Sequence, residues 1–589
     1  MTKETVANTL EAIARLLDLK GENPFKIRAY QSAARAIEMF TGDLAATAEK
    51  GGLGEIEGVG KSVAEKIDEM LQTGHCTYFD ELKAGFPAGL FELFDLSGLG
   101  AKKIKALHEK LGVGSVADLE AACKEGKVAT LAGFGDKTEQ KLLAAIEQRQ
   151  VNAAFHRLGD VAGTAFRLLE ELRAHPDVTR ASEGGSLRRR KEVVRDLDFV
   201  ASTRDAAAVG EFFATRPGVV EVIAKGGTKV AVRLEDGVQC DLRLVSDTEY
   251  PYALHHFTGS KEHHIALRNR ALERGWSINE YRFSVATGES GKRAQPLPEI
   301  RDETELYRAL GLDYIAPELR ENAGEIEAAA AHTLPELLEL GSLRGTFHCH
   351  TNSSDGHNTM EEMTAAAQEH GLQYLGIGDH SKASFQANGL DERRLLAQVE
   401  DIRKLNAGYA AEGTRFRVFA GVECDLLRDG ALDFSDEILA QLDYVVASVH
   451  GSFSLPEAEM TRRLIRAIES PYVTIMGHLT GRLLLERPSY ALDIPAVLDA
   501  AAATGTIIEL NANTYRLDMD WRWWHLAKEK GVKCAINPDA HRTDGLQDLW
   551  FGVAQARKGW LTREDVVNCL PLGKIEKVLG AKREKMLKK

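Results

Sequence analysis

The chain has 589 residues, a length at which we expect three or four domains rather than one. Its formal net charge is −14, with 74 Lys and Arg against 88 Asp and Glu, so any contact with nucleic acid requires a local basic surface. The seven scattered cysteines form no CxxC pair, which excludes a zinc ribbon and a disulfide scaffold. No apolar run suits a signal peptide or a membrane span, which excludes a membrane partner. We therefore expect a cytoplasmic protein.

Residues 1 to about 150 are predicted to form short helices separated by Gly-rich turns. One pattern, a Gly-x-Gly turn that opens a helix, occurs three times, with glycine pairs at Gly58 and Gly60, Gly98 and Gly100, and Gly133 and Gly135. Glycine lets the backbone approach a phosphate closely, and the first N–H groups of the following helix are free to donate hydrogen bonds. A single copy is usually only a turn, but three copies favour DNA binding through phosphates, without sequence readout.

This pattern resembles helix-hairpin-helix modules. The first copy lies in EGVGKSVAEKIDEM, which is similar to the lyase domain of polymerase beta. The resemblance places Lys66 at the Schiff-base lysine, and Lys26 and Tyr30 in the pocket for a 5′-phosphate. Lysine attacks an aldehyde only as the free amine, so the alternative is an ordinary solvated helix lysine. We predict a lyase-like domain over 1–88 and a second helix-hairpin-helix region over 89–150.

The segment ASEGGSLRRRKEVVRDLDFV combines a glycine turn with two aspartates on one predicted strand, Asp196 and Asp198. Alternate strand residues face the same way, and Asp241 on a later strand would complete a set of three carboxylates. An isolated DxD is usually a solvated strand edge. Beside a glycine turn, it is typical of a site that binds two Mg²⁺ or Mn²⁺ ions for phosphoryl transfer. The backbone of Gly185, the hydroxyl of Ser186 and the guanidinium of Arg189 would hold the terminal phosphates; all three stand in this segment.

This arrangement resembles the nucleotidyl transferase superfamily, and the segment HHFTGSKEHHIALRNRALERGWSINEY narrows the resemblance to the family X DNA polymerases. The resemblance implies that Phe257, Thr258 and Gly259 line the nucleotide sugar and that Arg268 lies on the template side. His264 stands where the family is expected to have an Asn that contacts the incoming nucleotide. An α/β nucleotidyltransferase palm is thus predicted over 151–245, with a thumb and nucleotide-selection subdomain over 246–322.

A helical connection is predicted from Glu321 to Leu340, with 323–340 as a linker. Apolar strands then alternate with helices, a rhythm that favours a βα barrel over 341–575. The strand candidates are TFHCH, YLGIGDH, RVFAGVE, DYVVASVH, YVTIMGH, TIIELNA and VKCAINPDAH. The basic end of the chain, which includes Lys582 and Arg583, is predicted to be a frayed helix.

Nine histidines and acids follow the ends of these strands, and strand ends of a βα barrel converge on one face. They are His348, His350, Asp355, His380, Glu423, His450, His478, Asp539 and His541. They match the ligand set of the polymerase-and-histidinol-phosphatase (PHP) family, which implies a distorted (β/α)7 barrel with a trinuclear metal site. Imidazole and carboxylate ligands suit Zn²⁺, Mn²⁺ or Fe alike. Such a cluster hydrolyses phosphoesters, which implies a 3′–5′ exonuclease, a 3′-phosphatase or an AP-endonuclease activity.

Together these resemblances predict a bacterial family X DNA polymerase with a C-terminal PHP domain that fills short gaps during base excision repair. We expect it to act as a monomer on gapped or nicked DNA with dNTPs. One alternative is a PHP nuclease or phosphatase whose polymerase half only holds DNA; the intact set of Asp196, Asp198 and Asp241 disfavours it. Another is a non-enzymatic DNA-bridging protein with structural metals, although nine ligands for several ions leave room for substrate.

Overall fold

The structure is a computed structural model that describes residues 1–40, 43–56, 58–96, 99–286 and 296–588. The chain divides into two compact units, Met1–Ala154 and Phe155–Lys589. Within the described ranges, no helix combines the length and the apolar character that crossing a membrane would require.

Regular structure in the described part of the first unit is helical, as predicted. One core lies beneath the first helices and includes Leu10 and Ile67; a second includes Ile104 and Ile146. The α-helices are α1 (Lys3–Lys20), α2 (Pro24–Met39), α3 (Leu44–Glu49), α4 (Lys61–Thr73), α5 (Thr77–Ala84), α6 (Ala101–Leu111), α7 (Val116–Lys124) and α8 (Asp136–Asn152). Helices α4 and α8 each begin directly after a Gly-x-Gly turn, as the pattern predicts, and α6 begins directly after Gly100.

The second unit begins with a five-stranded sheet in the order β2-β4-β7-β6-β5, in which only β4 and β7 are parallel neighbours. Phe199 of β4 packs against Phe213 of α11 in the core beneath the sheet. The elements are β1 (His156–Arg157), α9 (Leu158–Ala174), β2 (Val178–Glu183), α10 (Gly185–Arg188), β3 (Val193–Val194), β4 (Asp196–Thr203), α11 (Ala206–Thr215), β5 (Val219–Lys225), β6 (Lys229–Leu234) and β7 (Gln239–Val245). Strand β1 pairs with β3.

A small helical subdomain with one antiparallel strand pair, β8 with β9, follows. Its elements are α12 (Tyr250–Thr258), α13 (Lys261–Leu272), β8 (Trp276–Ile278), β9 (Phe283–Val285), α14 (Glu303–Ala309) and α15 (Glu325–Ala330). The predicted helix from Glu321 to Leu340 is therefore wrong in extent, because only α15 forms. His332 has a left-handed backbone, with φ 59°, and Pro335 disfavours helical backbone at the residue before it.

The remainder is a closed barrel of seven parallel strands, as predicted. The strands are β10 (Gly345–Cys349), β11 (Tyr374–Ile377), β12 (Arg417–Ala420), β13 (Glu423–Asp425), β14 (Val446–Ser448), β15 (Ile475–Met476), β16 (Ile507–Asn511) and β17 (Cys534–Asn537). Strands β12 and β13 are parts of one strand interrupted at positions 421–422, and a bridge between His380 and Glu423 continues the pairing. A parallel bridge between Cys349 and Ala540 closes the ring.

Aromatic side chains from non-adjacent strands fill the barrel interior: the rings of Phe347 and Tyr444 lie 5.1 Å apart. Gly376 and Gly421 leave room for them, since a Cβ at Gly421 would lie 2.3 Å from the Tyr444 ring. The barrel interior is therefore apolar, and the polar side chains lie at the carboxyl ends of the strands.

Eight helices accompany the barrel strands. They are α16 (Met360–Glu369), α17 (Glu392–Ala411), α18 (Asp436–Leu439), α19 (Glu457–Ile468), α20 (Ile494–Thr504), α21 (Trp524–Glu529), α22 (Leu549–Lys558) and α23 (Leu572–Leu587). The prediction of a frayed end is wrong: Lys582 of α23 is buried and donates to the carbonyls of Ile468 and Val473, both at 2.7 Å. These bonds and the apolar side chains of α23 hold that helix against the barrel.

Candidate functional site

Strand register brings the three predicted palm carboxylates together. Strands β4 and β7 run parallel with Asp198 directly opposite Asp241 and Asp196 opposite Gln239. The Asp241 carboxylate lies 2.5 Å from the ammonium of Lys229 and accepts a 3.0 Å hydrogen bond from Gln239 Nε2. The group contains carboxylate oxygens and no thiolate or imidazole, which fits a hard cation such as Mg²⁺ or Mn²⁺.

The electrostatics of these carboxylates also favour a cation. Burial, and then the charges of Asp196 and Asp241, raise the pKa of Asp198 to about 7. Burial and the charge of Asp241 likewise raise the pKa of Asp196. Like charges that crowd together in this way are stabilised by a divalent ion between them.

The predicted phosphate-binding turn lies directly against Asp198. The Gly184 N–H donates to the Asp198 carbonyl at 2.7 Å, and Gly185 has φ 54°. A Cβ at Gly185 would lie 2.0 Å from Asp198 Oδ2, so the close approach requires glycine. Ser186 follows in the short helix α10, which places it beside the carboxylates.

Arg189, the predicted phosphate ligand, is engaged with protein groups in this structure. Its Nε lies 3.1 Å from Glu321 Oε1, and its Nη1 donates to the Thr258 carbonyl. The neighbouring Arg188, for which no role was predicted, forms a bidentate pair with Glu303 at 2.6 and 3.1 Å. A phosphate-binding role for Arg189 stays a prediction.

The predicted nucleotide-sugar residues lie beside the same turn. A Cβ at Gly184 would approach the Phe257 carbonyl to 3.3 Å, and Gly259 lies against the Arg189 guanidinium. Thr258 is buried, with its hydroxyl bonded to Arg188 at 2.7 Å. The palm turn and the end of α12 therefore form one continuous surface.

The other two predicted residues of this subdomain lie on α13. The His264 ring stacks on His255 at 5.2 Å and meets His256 edge-on at 4.8 Å. Burial, and then the charge of His256, lower the pKa of His264 to about 4, so the imidazole is neutral at pH 7. Arg268 is exposed one turn after His264 on the same helix, and its positive charge acts on both His264 and His256.

The three residues predicted for lyase chemistry gather around Tyr78, which sequence reasoning missed. The ammonium groups of Lys66 and Lys26 lie 4.9 and 5.5 Å from the centre of its ring. The buried Tyr30 stacks on the same ring at 6.1 Å. Lys66 also donates to the Ser62 carbonyl at 3.0 Å and its side chain is only partly buried.

Backbone conformation fits the predicted glycine turns. Gly58, Gly133 and Gly135 have φ values of 91°, 89° and 82°, which favour glycine. Gly60 and Gly100 cap α4 and α6 with extended backbone. Gly98 lies outside the described residues.

All nine predicted barrel ligands meet at the carboxyl ends of the strands, with Glu423 near their centre. Glu423 Oε1 lies 3.2 Å from His348 Nε2, 3.2 Å from His450 Nε2 and 3.0 Å from His478 Nε2. Its Oε2 lies 2.8 Å from His380 Nδ1. One buried carboxylate thus faces four imidazoles from four different strands.

The remaining ligands continue the cluster on its other side. Asp539 Oδ1 lies 3.1 Å from His350 Nε2, and the His350 ring stacks on His541 at 4.1 Å. Asp355 lies 3.3 Å from His541 Nε2. The nine residues form four overlapping groups whose ligand atoms lie within 4.8 Å: His350, Asp355, His380 and His541; His348, His350 and Asp539; His348, Glu423 and His478; and His380, Glu423 and His450.

Several buried atoms of this cluster have no hydrogen-bond partner, although charged groups lie close to them. They are His348 Nε2, His350 Nδ1, His380 Nδ1, His478 Nδ1 and Glu423 Oε2. Buried polar atoms almost always have partners, and short N···O separations without hydrogen-bond geometry are typical of ligands that share a cation. The donor set therefore fits more than one metal ion.

Further polar residues that sequence reasoning missed hold the ligands in place. Glu509 accepts from His348 Nδ1 at 2.6 Å and from the His478 N–H at 2.9 Å. Asp425 lies 3.0 Å from His450 Nδ1. Glu509 stands within the strand TIIELNA and Asp425 two positions after Glu423, so a search for acids within and just after every strand would have found both.

A cavity of about 580 Å³ opens over the cluster. Its wall includes three arginines, Arg428, Arg463 and Arg516, together with Phe385, whose side chain is 74% exposed. Arg516 lies 3.5 Å from the Asp539 carboxylate. The cavity thus combines metal ligands with positive charge and an exposed aromatic ring.

Models of four protein families match parts of this chain. The helix-hairpin-helix domain matches residues 1–76, and the SAM-like helix-hairpin-helix tandem matches residues 91–148. The DNA polymerase beta thumb matches residues 253–321, and the PHP domain matches residues 346–513.

Similar proteins fall into two groups. The "DNA polymerase/3'-5' exonuclease PolX" of Bacillus subtilis is 40% identical over 581 residues, which cover 98% of this chain and 99% of that protein. A "Probable phosphatase" of Thermoanaerobacter sp. is 30% identical over 255 residues, 41% of this chain and 95% of that protein. A "Probable phosphatase" of Caldanaerobacter subterraneus is 31% identical over 206 residues, 33% of this chain and 74% of that protein.

Proposed function

The chain belongs to the family X DNA polymerases that carry a PHP domain, and from this premise we propose that it extends DNA primers and hydrolyses DNA 3′ ends at two separate metal-dependent sites. The observation that carries the proposal is the presence of two independent groups of metal ligands in one chain, three carboxylates on the palm and nine residues at the barrel ends. More specifically, we propose that the chain fills short gaps during base excision repair and uses dNTPs as substrates. We propose that it does so as a monomer in the cytoplasm.

At the palm, Asp196, Asp198 and Asp241 would hold two Mg²⁺ or Mn²⁺ ions. When bound, such ions would lower the pKa of a primer 3′-hydroxyl, which attacks the α-phosphate of the dNTP, and would neutralise the charge of the pyrophosphate that leaves. Gly185 and Ser186 would bind the terminal phosphates, since the turn lies directly against Asp198. Beside it, the end of α12 would contact the sugar through Phe257.

At the barrel, the nine ligands would hold three ions, for which Zn²⁺, Mn²⁺ and Fe are all candidates. When bound, such ions polarise a phosphoryl group, activate water and stabilise the leaving oxygen. Arg428 and Arg516 place positive charge on the cavity wall where a phosphodiester would bind. Phe385 exposes a ring on which an unpaired terminal base can stack. These features support a 3′–5′ exonuclease, with 3′-phosphatase or AP-endonuclease activity as variants of the same chemistry.

In the first unit, the three glycine turns would bind DNA phosphates on gapped or nicked substrates. Lys66, Lys26 and Tyr30 gather around one tyrosine, which supports a 5′-deoxyribose phosphate lyase site. Borohydride trapping on an incised abasic duplex tests this part, and a Lys66→Ala variant that is trapped as well as the parent chain would exclude Lys66 as the nucleophile.

The main test follows one labelled primer strand on a gapped duplex. With dNTPs and Mg²⁺ the primer should lengthen, and with Mn²⁺ but no dNTPs it should shorten from its 3′ end. Metal analysis of the purified chain should find more than one tightly held ion. Shortening without extension would favour a nuclease whose palm only holds DNA. Binding with neither reaction would favour a DNA-bridging protein with structural metals.

A further inference from the structure

One barrel helix, α22, contacts the palm segment that lies between the phosphate turn and the catalytic carboxylates. Gln555 Nε2 donates to the Arg190 carbonyl at 2.9 Å, and Lys558 Nζ donates to the Arg189 carbonyl at 3.1 Å. At the far end of the same segment, Glu192 accepts from Trp521 Nε1 at 3.1 Å. The barrel domain therefore holds the backbone of a palm segment that serves the polymerase site.

Lys558 is an unusual residue for such a contact because its side chain is completely buried. Its ammonium has three donors, and three acceptors lie around it: the carbonyls of Arg189 and Glu318 at 3.1 and 3.3 Å, and Glu321 Oε1 at 2.6 Å. Burial lowers the pKa of Lys558 to about 8 and the charge of Glu321 opposes that shift, so the amine is charged at pH 7.

The same carboxylate oxygen of Glu321 also contacts Arg189. Arg189 Nε lies 3.1 Å from Glu321 Oε1, so one carboxylate is shared between two cations, Lys558 and Arg189. Lys191 is a further cation whose charge acts on Glu321. Arg189 alone with Glu321 would be a neutral pair with little attraction for a triphosphate. With Lys558 present, the three charges leave a net positive charge beside the phosphate turn.

We propose that Lys558 of the barrel domain is a positioning residue for polymerisation. Its charge offsets that of Glu321, so that the positive charge of Arg189 remains available to the triphosphate of the incoming nucleotide. This inference rests on the proposed nucleotide site in the palm. It assigns the PHP domain a part in nucleotide binding that is separate from hydrolysis at its own metal cluster. The simpler alternative is that Lys558 only joins three chain segments and contributes to stability.

Charge-restoring variants separate the two explanations. Lys558→Met should raise the KM for dNTP about tenfold with kcat little changed, because a net charge is lost near the triphosphate. In the double variant Lys558→Met with Glu321→Gln, Arg189 again carries an uncompensated charge and the Gln oxygen can still accept from its Nε. The KM of the double variant should therefore return to within about threefold of the parent value.

Arg557→Met is the matched control, because Arg557 stands on the same helix and pairs with Glu318 at 2.8 Å instead of with Glu321. Its KM should stay at the parent value. Hydrolysis of a labelled 3′ end and the thermal midpoint report whether each variant is folded, and Lys558→Gln replaces Lys558→Met if the latter does not fold.

The inference is overturned if the single variant leaves the KM unchanged. It is equally overturned if the double variant is as impaired as the single one, since Lys558 would then act only as a structural link. A failure of the proposed function looks different: the parent chain itself would not extend the primer, while these comparisons need a parent chain that does.

Discussion

The two groups of proposed metal ligands in this chain differ in composition and in surroundings. The palm group has three carboxylates, and Lys229 is the cation in direct contact with them among the described residues. The barrel group has six histidines and three carboxylates, and most of these side chains are buried. Glu509 and Asp425 contact the barrel imidazoles and hold them in orientation. At the palm, the side chain of Asp196 is partly exposed to solvent.

This difference indicates when each site acquires its ions. Burial and the neighbouring negative charges raise the pKa of Asp198 and of Asp196, so the palm is incomplete until cations arrive, and a nucleotide triphosphate can bring them. At the barrel, ligands from several strands are already placed and oriented, so ions should stay bound between turnovers. The variants below test this contrast between an open and a prebuilt site.

The largest expected effect is on primer extension. Asp198→Ala removes the carboxylate that lies opposite Asp241 and against the phosphate turn, so extension should fall by about a thousandfold or more. Shortening of a labelled 3′ end in the absence of dNTPs should continue at the parent rate. Normal extension by this variant would contradict the assignment of the palm carboxylates.

A second variant should produce the opposite pattern. Glu423→Gln weakens a ligand that contacts four imidazoles, so 3′ hydrolysis should fall by about a hundredfold or more and fewer ions should copurify. Single-nucleotide extension with Mg²⁺ should be retained. Undiminished 3′ degradation by the folded variant would place the nuclease outside the barrel.

Much of this architecture could be predicted because its signals are local. The seven barrel strands are short apolar runs, and the nine proposed ligands lie at or after their ends, so both the barrel and the meeting of these residues on one face were predictable. The Gly-x-Gly turns before α4 and α8 were predictable for the same reason. The alternation of a strand likewise predicts that Asp196 and Asp198 share one face, whereas the register that sets Asp198 opposite Asp241 depends on the pairing of two distant strands.

What could not be predicted depends on contacts between distant segments. The predicted linker helix is too long, because the Ala and Glu content of the segment favours a helix while Pro335 disfavours one. The packing of the end of the chain could not be predicted, because nothing in the local sequence shows that Lys582 finds acceptors on the barrel. The sharing of Glu321 between Arg189 and Lys558 joins residues more than two hundred positions apart, which no local pattern reveals.

Removal of the first unit tests whether both sites depend on the same DNA-binding region. A chain that begins at Phe155 keeps both ligand groups, since both lie in the second compact unit. Its affinity for gapped duplex should fall about tenfold or more, with a shallower dependence on salt, because phosphate contacts are lost. Extension should suffer more than 3′ hydrolysis. An unchanged salt slope in a binding titration would mean that the glycine turns do not contact DNA.

The smallest expected effect is on stability, and it separates the open site from the prebuilt one. The folded-state pKa of Asp198 is raised from the ordinary value of 3.8 to about 7. Its carboxylate therefore destabilises the metal-free fold as the pH rises above 3.8, and fully so above about 7. Asp198→Asn keeps the shape and removes the charge, so the thermal midpoint of the chelator-treated chain should rise by a few degrees at pH 8. The gain should shrink as the pH falls through 7, because the parent carboxyl then becomes neutral.

The barrel counterpart should respond in the opposite direction. His348→Ala removes an imidazole that lies 2.6 Å from Glu509 and 3.2 Å from Glu423, so two buried carboxylates each lose one partner. Its midpoint should drop below that of the parent chain, both with metal and after chelation. Scanning calorimetry of both variants with and without chelator measures the contrast. A palm variant that loses stability after chelation would show that the palm carboxylates are already compensated without metal, which would contradict an open site there.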